Sequence, residues 1–251
     1  MENTKNHNKP KVSKYVKDNK KISKGYSAIF DIVESLVYAI AVVVFVFLFI
    51  GRLSIVDGSS MSNTLSNRDY LIVANPFYTY EPEYKDIVVV SGDFKPIKQI
   101  VDGEEKNVDV YDKPLVKRII ATGGQSVVVN FKDNTVTIDG VVYEEDYAFY
   151  LDYNGNPVSE ADKLLIINRR YTPVKNEKGE EISKLPEGMT YDPSTYSISL
   201  TVPEGFVFAM GDNRLNSADS REMEIGFVRE PYVVGKVVYR ILPLNKLGGV
   251  K

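Results

Sequence analysis

An uncharged run of fifteen residues, Leu36 to Ile50, limits what this chain can fold into more than any other feature. With Ile29 to Ser35 it makes 22 residues, a helix of about 33 Å and so close to the hydrocarbon thickness of a bilayer. Asp31 and Glu34 fall in the first turns, where they reach the interface, and Arg52 marks the far end. The alternatives are a buried core helix, which would rarely be apolar all round, and a cleaved signal sequence. The latter would need a clean pair of small residues at its cleavage site, and none follows. An uncleaved anchor over residues 29–51 is therefore expected. Residues 1–24 hold eight lysines against Glu2 and Asp18, which leaves this segment at +6. That bias puts the N-terminus in the cytoplasm and everything from about Ser54 onward outside. The leader, residues 1–28, has almost no large apolar side chains and is expected to be disordered.

The whole chain carries −3, so residues 25–251 carry −9. An acidic domain behind a basic leader does not suit a nucleic-acid partner, though the leader suits membrane lipids. There is no Cys, and the only His is His7. Disulfides, thiol nucleophiles, Ser-His machinery and His-based zinc sites are thereby excluded from the main domain. No metal or cofactor is expected.

Beyond the anchor, residues 52–251 read as mainly β. Tyr70–Ala74 and Asp86–Val90 are short β-branched runs bounded by turn residues. Residues 97–112 are mixed and charged, a hairpin or loop. Pro114–Ala121 is a strand stopped by Gly123-Gly124, and Ser126–Asn130 and Thr135–Ile138 follow. Asp139-Gly140 predicts a tight hairpin into Val141–Tyr143. Residues 150–195 are rich in Asn, Lys, Glu, Pro and Gly with weak periodicity, and are expected to form a peripheral, partly mobile insertion, a lid or docking surface away from the chemistry. Tyr196–Val202, Phe206–Met210 and Val233–Ile241 complete the strands.

Three segments carry polar groups suited to catalysis. Asp57 to Leu65 is a small, Gly-containing loop with serines at 59, 60 and 62, open to close approach by a substrate backbone. Serine needs a base, and without His the base must be Lys, Asp, Glu or Tyr. Lysine serves only when neutral, which requires burial among apolar groups. Lys117 fits by pattern, since it shares a strand face with Leu115 and Ile119 while Arg118 takes the other. The alternative is an edge lysine reaching solvent. The third segment, Gly211-Asp212-Asn213-Arg214-Leu215-Asn216-Ser217-Ala218-Asp219-Ser220-Arg221, crowds polar side chains behind an apolar strand, where Asp and Arg can brace one another.

These segments, in this order behind an anchor, resemble the bacterial type I signal peptidases, membrane-anchored Ser-Lys peptidases of the single-anchor form. The family's G-x-S-M-x-P-T-L motif reads Gly58-Ser59-Ser60-Met61-Ser62-Asn63-Thr64-Leu65, with Asn63 in place of Pro. Its G-D-I-V strand reads Lys85-Asp86-Ile87-Val88, with Lys for Gly. Its K-R-x-x-x-x-x-G-D segment reads Lys117-Arg118 through Gly124-Gln125, with Gln for Asp, and its G-D-N-R-x-N-S-x-D-S-R box is matched in full. The resemblance implies an extracytoplasmic antiparallel β-sheet or barrel-like domain. It implies Ser60 as nucleophile and Lys117 as general base. Ser217 would hydrogen-bond the base amine, Asp212 would pair with Arg118, and Asp219 with Arg221. Gly58 stands where some members carry an oxyanion-binding serine, which leaves the second oxyanion donor open. Val56, Met61, Leu65, Leu115 and Val116 match positions that shape shallow pockets for small residues at −1 and −3 of exported preproteins, with the export machinery as a further partner. The rival readings are a non-enzymatic anchored β-domain that binds surface partners, which the intact Ser60, Lys117 and Ser217 argue against, and a self-cleaving repressor, which would need a DNA-binding domain in place of the anchor.

Overall fold

The computed structural model describes residues 29–46, 49, 51–74, 80–91, 97–101, 104–108 and 113–250. The expected disordered leader, residues 1–28, lies outside the described residues, as does the last residue of the apolar run, Ile50. The chain divides into two units between Ile50 and Gly51. In the first, helix α1 (Ile29–Val46) is long and apolar enough to cross a membrane. The anchor expected from the sequence runs to residue 51, but Gly51 opens the first strand of the second unit. A side chain there would meet the Val73 carbonyl oxygen at 2.9 Å.

The second unit is mainly β. In chain order it contains β1 (Gly51–Ile55), β2 (Tyr70–Ala74), β3 (Ile87–Val90), a β4–β5 hairpin (Ile97–Val101 and Glu104–Val108) and β6 (Leu115–Thr122). Then come β7 (Ser126–Asn130), β8 (Thr135–Ile138), β9 (Val141–Glu144), helix α2 (Glu160–Tyr171), β10 (Val174–Lys175), β11 (Glu181–Ile182) and β12 (Met189–Asp192). β13 (Ser197–Thr201), β14 (Phe206–Met210), β15 (Val228–Arg229), β16 (Val233–Leu242) and β17 (Gly248–Gly249) end the chain. The larger sheet runs β1-β2-β16-β3-β6-β14-β15, with β17 on β16, and the second runs β12-β13-β7-β8-β9. The pairings in both are antiparallel.

β3 shows why the centre of the larger sheet is apolar without alternation. All four of its residues are buried, with Ile87 and Val89 facing one cluster, among Val56, Met61 and Leu71, and Val88 and Val90 facing another, among Ile119 and Val207. A strand covered on both faces has no polar side to show. A third cluster fills the space between the sheets, where Ile120, Phe208 and Met210 meet Val127, Val129 and Phe131. The Asp139-Gly140 turn behaves as its sequence predicts, with φ of 49° and 83° joining β8 to β9.

Residues 150–195 correct the sequence reading. They are not a peripheral lid. Ile167, Tyr171, Leu185 and Met189 belong to the core between the sheets, and β12 is a strand of the second sheet. Ser159 caps α2 by accepting from the Asp162 amide at 3.2 Å. From the last turn of α2, Arg170 donates to the carbonyls of Leu215 at 3.2 Å and Ser217 at 3.4 Å and pairs with Glu222. The segment thus braces the polar loop instead of standing away from it.

Candidate active site

Ser60 and Lys117 come together from opposite sides of a cleft. Ser60 lies in the turn after β1, and Lys117 sits on β6, opposite Val88 of β3. Lys117 Nζ lies 2.9 Å from Ser60 Oγ and also donates to the Val116 carbonyl at 2.9 Å. The lysine is only 3% exposed. Burial, reinforced by the nearby Arg221, lowers its pKa from 10.5 to about 8, against the opposing charges of Asp219 and Asp212. The alternative of an edge lysine reaching water is therefore excluded by position, since β6 has neighbours on both sides.

The loop after β14 locks this pair in place. Arg118 and Asp212 form a buried two-pronged pair, Nε to Oδ1 and Nη2 to Oδ2, each at 2.8 Å. Arg118 also donates to the Lys85 carbonyl at 3.0 Å, and its guanidinium covers the Tyr147 ring at 4.1 Å. Thr64 Oγ1 donates to Asp212 Oδ2 at 2.5 Å, which ties the serine loop to the same carboxylate. Asp219 takes Arg221 Nε at 2.8 Å, Arg221 Nη2 at 2.7 Å and the Gly211 amide at 2.9 Å. Burial alone would raise the Asp219 pKa, but the Arg221 charge and these hydrogen bonds hold it well below the usual carboxylate range.

Gly211 is where the two loops touch. A Cβ built there would lie 2.2 Å from Ser217 Oγ and 2.6 Å from the Ser60 carbonyl oxygen. That same Ser60 carbonyl accepts from the Asn213 amide at 2.9 Å. Ser217 is buried beside the pair, near enough to Asp219 to help hold that carboxyl low, but its hydroxyl makes no hydrogen bond of full geometry among the described residues. The bond from Ser217 to the Lys117 amine that the resemblance implies is thus not made in this structure, where the amine contacts Ser60 and Val116.

A cleft of about 730 Å³ opens beside the pair, lined by Val56, Ser60, Met61, Leu115, Val116 and Lys117 among others. Leu65 is not one of its walls. It is fully buried in the cluster beneath, with Met61 and Leu71, and so supports the loop without facing the cleft. Gly58, at φ 109°, takes a backbone conformation that side chains disfavour, and its amide is committed to Asn67 Oδ1 at 3.1 Å. The Ser60 amide donates to nothing among the described residues.

The three departures from the family pattern have local explanations. Asn63 sits at φ 82°, a value proline cannot reach and asparagine tolerates. Lys85 sits at φ 73°, where glycine would be unstrained. Gln125 Oε1 accepts from the Thr122 amide at 2.8 Å, so an amide oxygen closes the turn as a carboxylate oxygen would.

Sequence reasoning missed Glu145, which is buried against Arg214 with Oε1 2.6 Å from Nη2. It also missed Asn216, whose Nδ2 donates to Ser59 Oγ at 3.0 Å. Glu145 carries no signal, because it lies in an unpatterned stretch after β9. Asn216 was visible inside the polar box but had no partner to assign. Among the described residues no group of His, Cys, Asp and Glu is arranged to hold a metal ion.

The chain matches the family model for signal peptidase, peptidase S26, over residues 29–242. It is 29% identical over 223 residues to a signal peptidase I of Bacillus licheniformis, covering 88% of this chain and 92% of that one. It is 30% identical over 241 residues to a signal peptidase I of Aquifex aeolicus, covering 83% of each. A signal peptidase I crystal structure from Enterococcus faecalis aligns with 26% identity over 64% of this chain and 99% of that one, at a TM-score of 0.33.

Proposed function

Since the match over residues 29–242 makes this chain a member of the signal peptidase family S26, we propose that it cuts signal peptides from exported preproteins through a Ser60–Lys117 dyad. The observation that carries this reading is the 2.9 Å approach of a buried lysine amine to Ser60 Oγ. The neutral Lys117 amine takes the Ser60 proton as Oγ attacks the scissile carbonyl carbon. Negative charge gathers on the carbonyl oxygen, where the uncommitted Ser60 amide donates. The Lys117 ammonium then gives its proton to the leaving amine, and the C–N bond breaks to leave an ester on Ser60. Lys117 next deprotonates a water, which attacks the ester; the Oγ–C bond breaks, the ammonium returns its proton to Ser60 Oγ, and the signal peptide leaves with a new carboxylate. Asp212, Arg118, Asp219, Arg221 and Gly58 hold this geometry.

The cleft beside the dyad is lined by Val56, Met61, Leu115 and Val116, an apolar surface that suits small side chains at −1 and −3. Helix α1, by length and composition, serves as the membrane anchor, and the lysine-rich leader places the N-terminus in the cytoplasm and the catalytic unit outside. Tethering to the membrane that also holds the substrate's apolar segment raises their effective concentration. Export machinery in the same membrane is the expected partner. The test is to incubate the full-length protein in detergent micelles with a preprotein and to map the cut by mass spectrometry. A single cut after a small residue at −1 is expected, and it should vanish in both Ser60→Ala and Lys117→Ala. Cleavage by either variant at a near wild-type rate would refute the assignment.

A further inference from the structure

A second cleft lies along the polar loop that packs against the dyad. It measures about 630 Å³ and runs between the 151–153 turn and α2 on one side and the Leu215–Ala218 loop on the other. Two of its residues come close to the nucleophile. Asn216, in its wall, donates to Ser59 Oγ at 3.0 Å, one residue from Ser60. Ser217, also in its wall, shares Gly211 with the Ser60 carbonyl, the built Cβ lying 2.2 Å from one oxygen and 2.6 Å from the other. The first cleft is lined by Ser60 and Lys117 and the second by Asn216 and Ser217, so the two are separate depressions, and these last two residues carry the second to the neighbourhood of Ser60.

A peptide cut at Ser60 must occupy both sides of its scissile bond. With the residues before the bond in the first cleft, the depression beside Asn216 and Ser217 is a path open to the residues after it. The chemistry of the second cleft is specific as well. Leu151, Ile166 and Leu215 give it apolar walls. Glu222 is neutralised by Arg170, and Asp152, though charged, turns its oxygens into its own loop, where they accept from the Asn154 and Asn156 backbone amides at 2.8 Å each and from the Asn156 side chain at 3.2 Å. Arg169 is the basic group left over. It is exposed at the cleft, and its side chain makes no ion pair or hydrogen bond among the described residues. A basic residue in the last turn of α2 suits the helix dipole, but the dipole does not account for a guanidinium without a partner among the described residues in the wall of a cleft.

We propose that this second cleft holds the first residues of the mature chain, those that follow the scissile bond, and that Arg169 makes it favour an acidic side chain there. The proposal rests on the peptidase reading above and adds a specificity determinant on the product side. It also gives residues 150–195 a part in the reaction, since α2 supplies one wall of the substrate path.

The test uses peptides with one common segment before the bond and Asp, Ala or Lys at the second to fourth positions after it, together with one peptide truncated after the first position. Values of kcat/KM are measured for the full-length wild type, Arg169→Ala and Arg169→Glu in micelles, with folding checked by circular dichroism. The wild type should cut the Asp peptide faster than the Lys peptide by about two- to fivefold, the scale of a partly exposed ion pair. Arg169→Ala should level the two, Arg169→Glu should reverse their order, and truncation should lower wild-type kcat/KM. An unchanged order in Arg169→Glu, or a truncated peptide cut as well as the longer ones, would overturn the proposal and leave the peptidase reading standing. Failure to cut any of the peptides would overturn both.

Discussion

The pKa of Lys117 is the quantity on which the proposed chemistry turns, and it makes two linked predictions. Burial lowers it from 10.5 to about 8. At pH 7 roughly a tenth of the enzyme then carries a neutral amine, against about three parts in ten thousand for an unshifted lysine, a gain of about 300-fold in the reactive form. Activity on a signal-peptide substrate, measured as kcat/KM, should rise about tenfold from pH 7 to pH 9 on one ionisation near 8 and then level off. No limb near 6.5 is expected, because the one histidine is His7 in the leader. Stability follows with a definite sign. The folded pKa lies below the unfolded one, so between about 8 and 10.5 the unfolded chain binds the extra proton and stability rises with pH. Below 8 both states are charged, and the buried ammonium costs a constant amount, about 3 kcal/mol from the size of the shift. Lys117→Met removes the charge with similar volume. In urea unfolding it should be more stable than wild type at pH 7, with the difference shrinking as pH approaches 10.5 and with no activity at any pH. Lys117→Arg should also be inactive, since a guanidinium does not give up its proton. A wild-type activity limb at 10 or above, or a Lys117→Met stability difference that does not move between pH 7 and 10.5, would refute the reasoning.

Other perturbations test the surrounding frame. Gly211→Ala puts a methyl 2.6 Å from the Ser60 carbonyl oxygen, a backbone atom that cannot rotate away. It should cost about 1–3 kcal/mol in urea unfolding and lower kcat by about a hundredfold through misplacement of Ser60. Lys85→Gly relieves a non-glycine residue at φ 73° and should stabilise the fold by about 1 kcal/mol, read as a higher Tm, with cleavage retained. Replacing residues 154–193 with a Gly/Ser linker removes Ile167, Tyr171, Leu185 and Met189 from the core and should abolish cooperative unfolding; a variant that still folds and cuts a short peptide would contradict the core position of α2. Protease added to intact cells should degrade the 54–251 region and spare the leader, and a protected C-terminal unit would overturn the proposed orientation.

Much of this was legible because local chemistry and tertiary role coincide. Asp139-Gly140 makes a turn wherever it stands between alternating strands, and β8 and β9 needed no further context. Lys117 could be singled out because an ionisable group in an apolar run is unusual, but its 2.9 Å approach to Ser60 depends on a contact 57 residues away in sequence. The motif resemblance supplied that pairing where periodicity could not. It also implied a Ser217 bond to the lysine amine that is not made here, because a hydroxyl's partner depends on a rotation that a motif does not encode. Likewise Leu65 belongs to the motif, yet whether it lines the cleft or the core beneath depends on the turn of the loop.

Helix α2 shows why the segment from 150 to 195 was misread. Its buried residues are Lys163, Ile167 and Tyr171, a clean four-residue spacing along one face. The first of these is a lysine, so a scan for apolar residues loses the stripe at its start. Leu165 and Ile166 lie exposed and break it further. Lys163 tolerates burial because Glu160 pairs with it at 2.7 Å, Asn134 accepts at 3.2 Å and the Tyr150 ring lies 4.5 Å away. None of these partners is predictable from the helix alone. The usable signal was at the start, where Ser159 and Asp162 stand in capping positions. Read from that cap, the spacing places Arg170 in the last turn. There it reaches the Leu215 and Ser217 carbonyls and couples this segment to the loop that packs on the dyad.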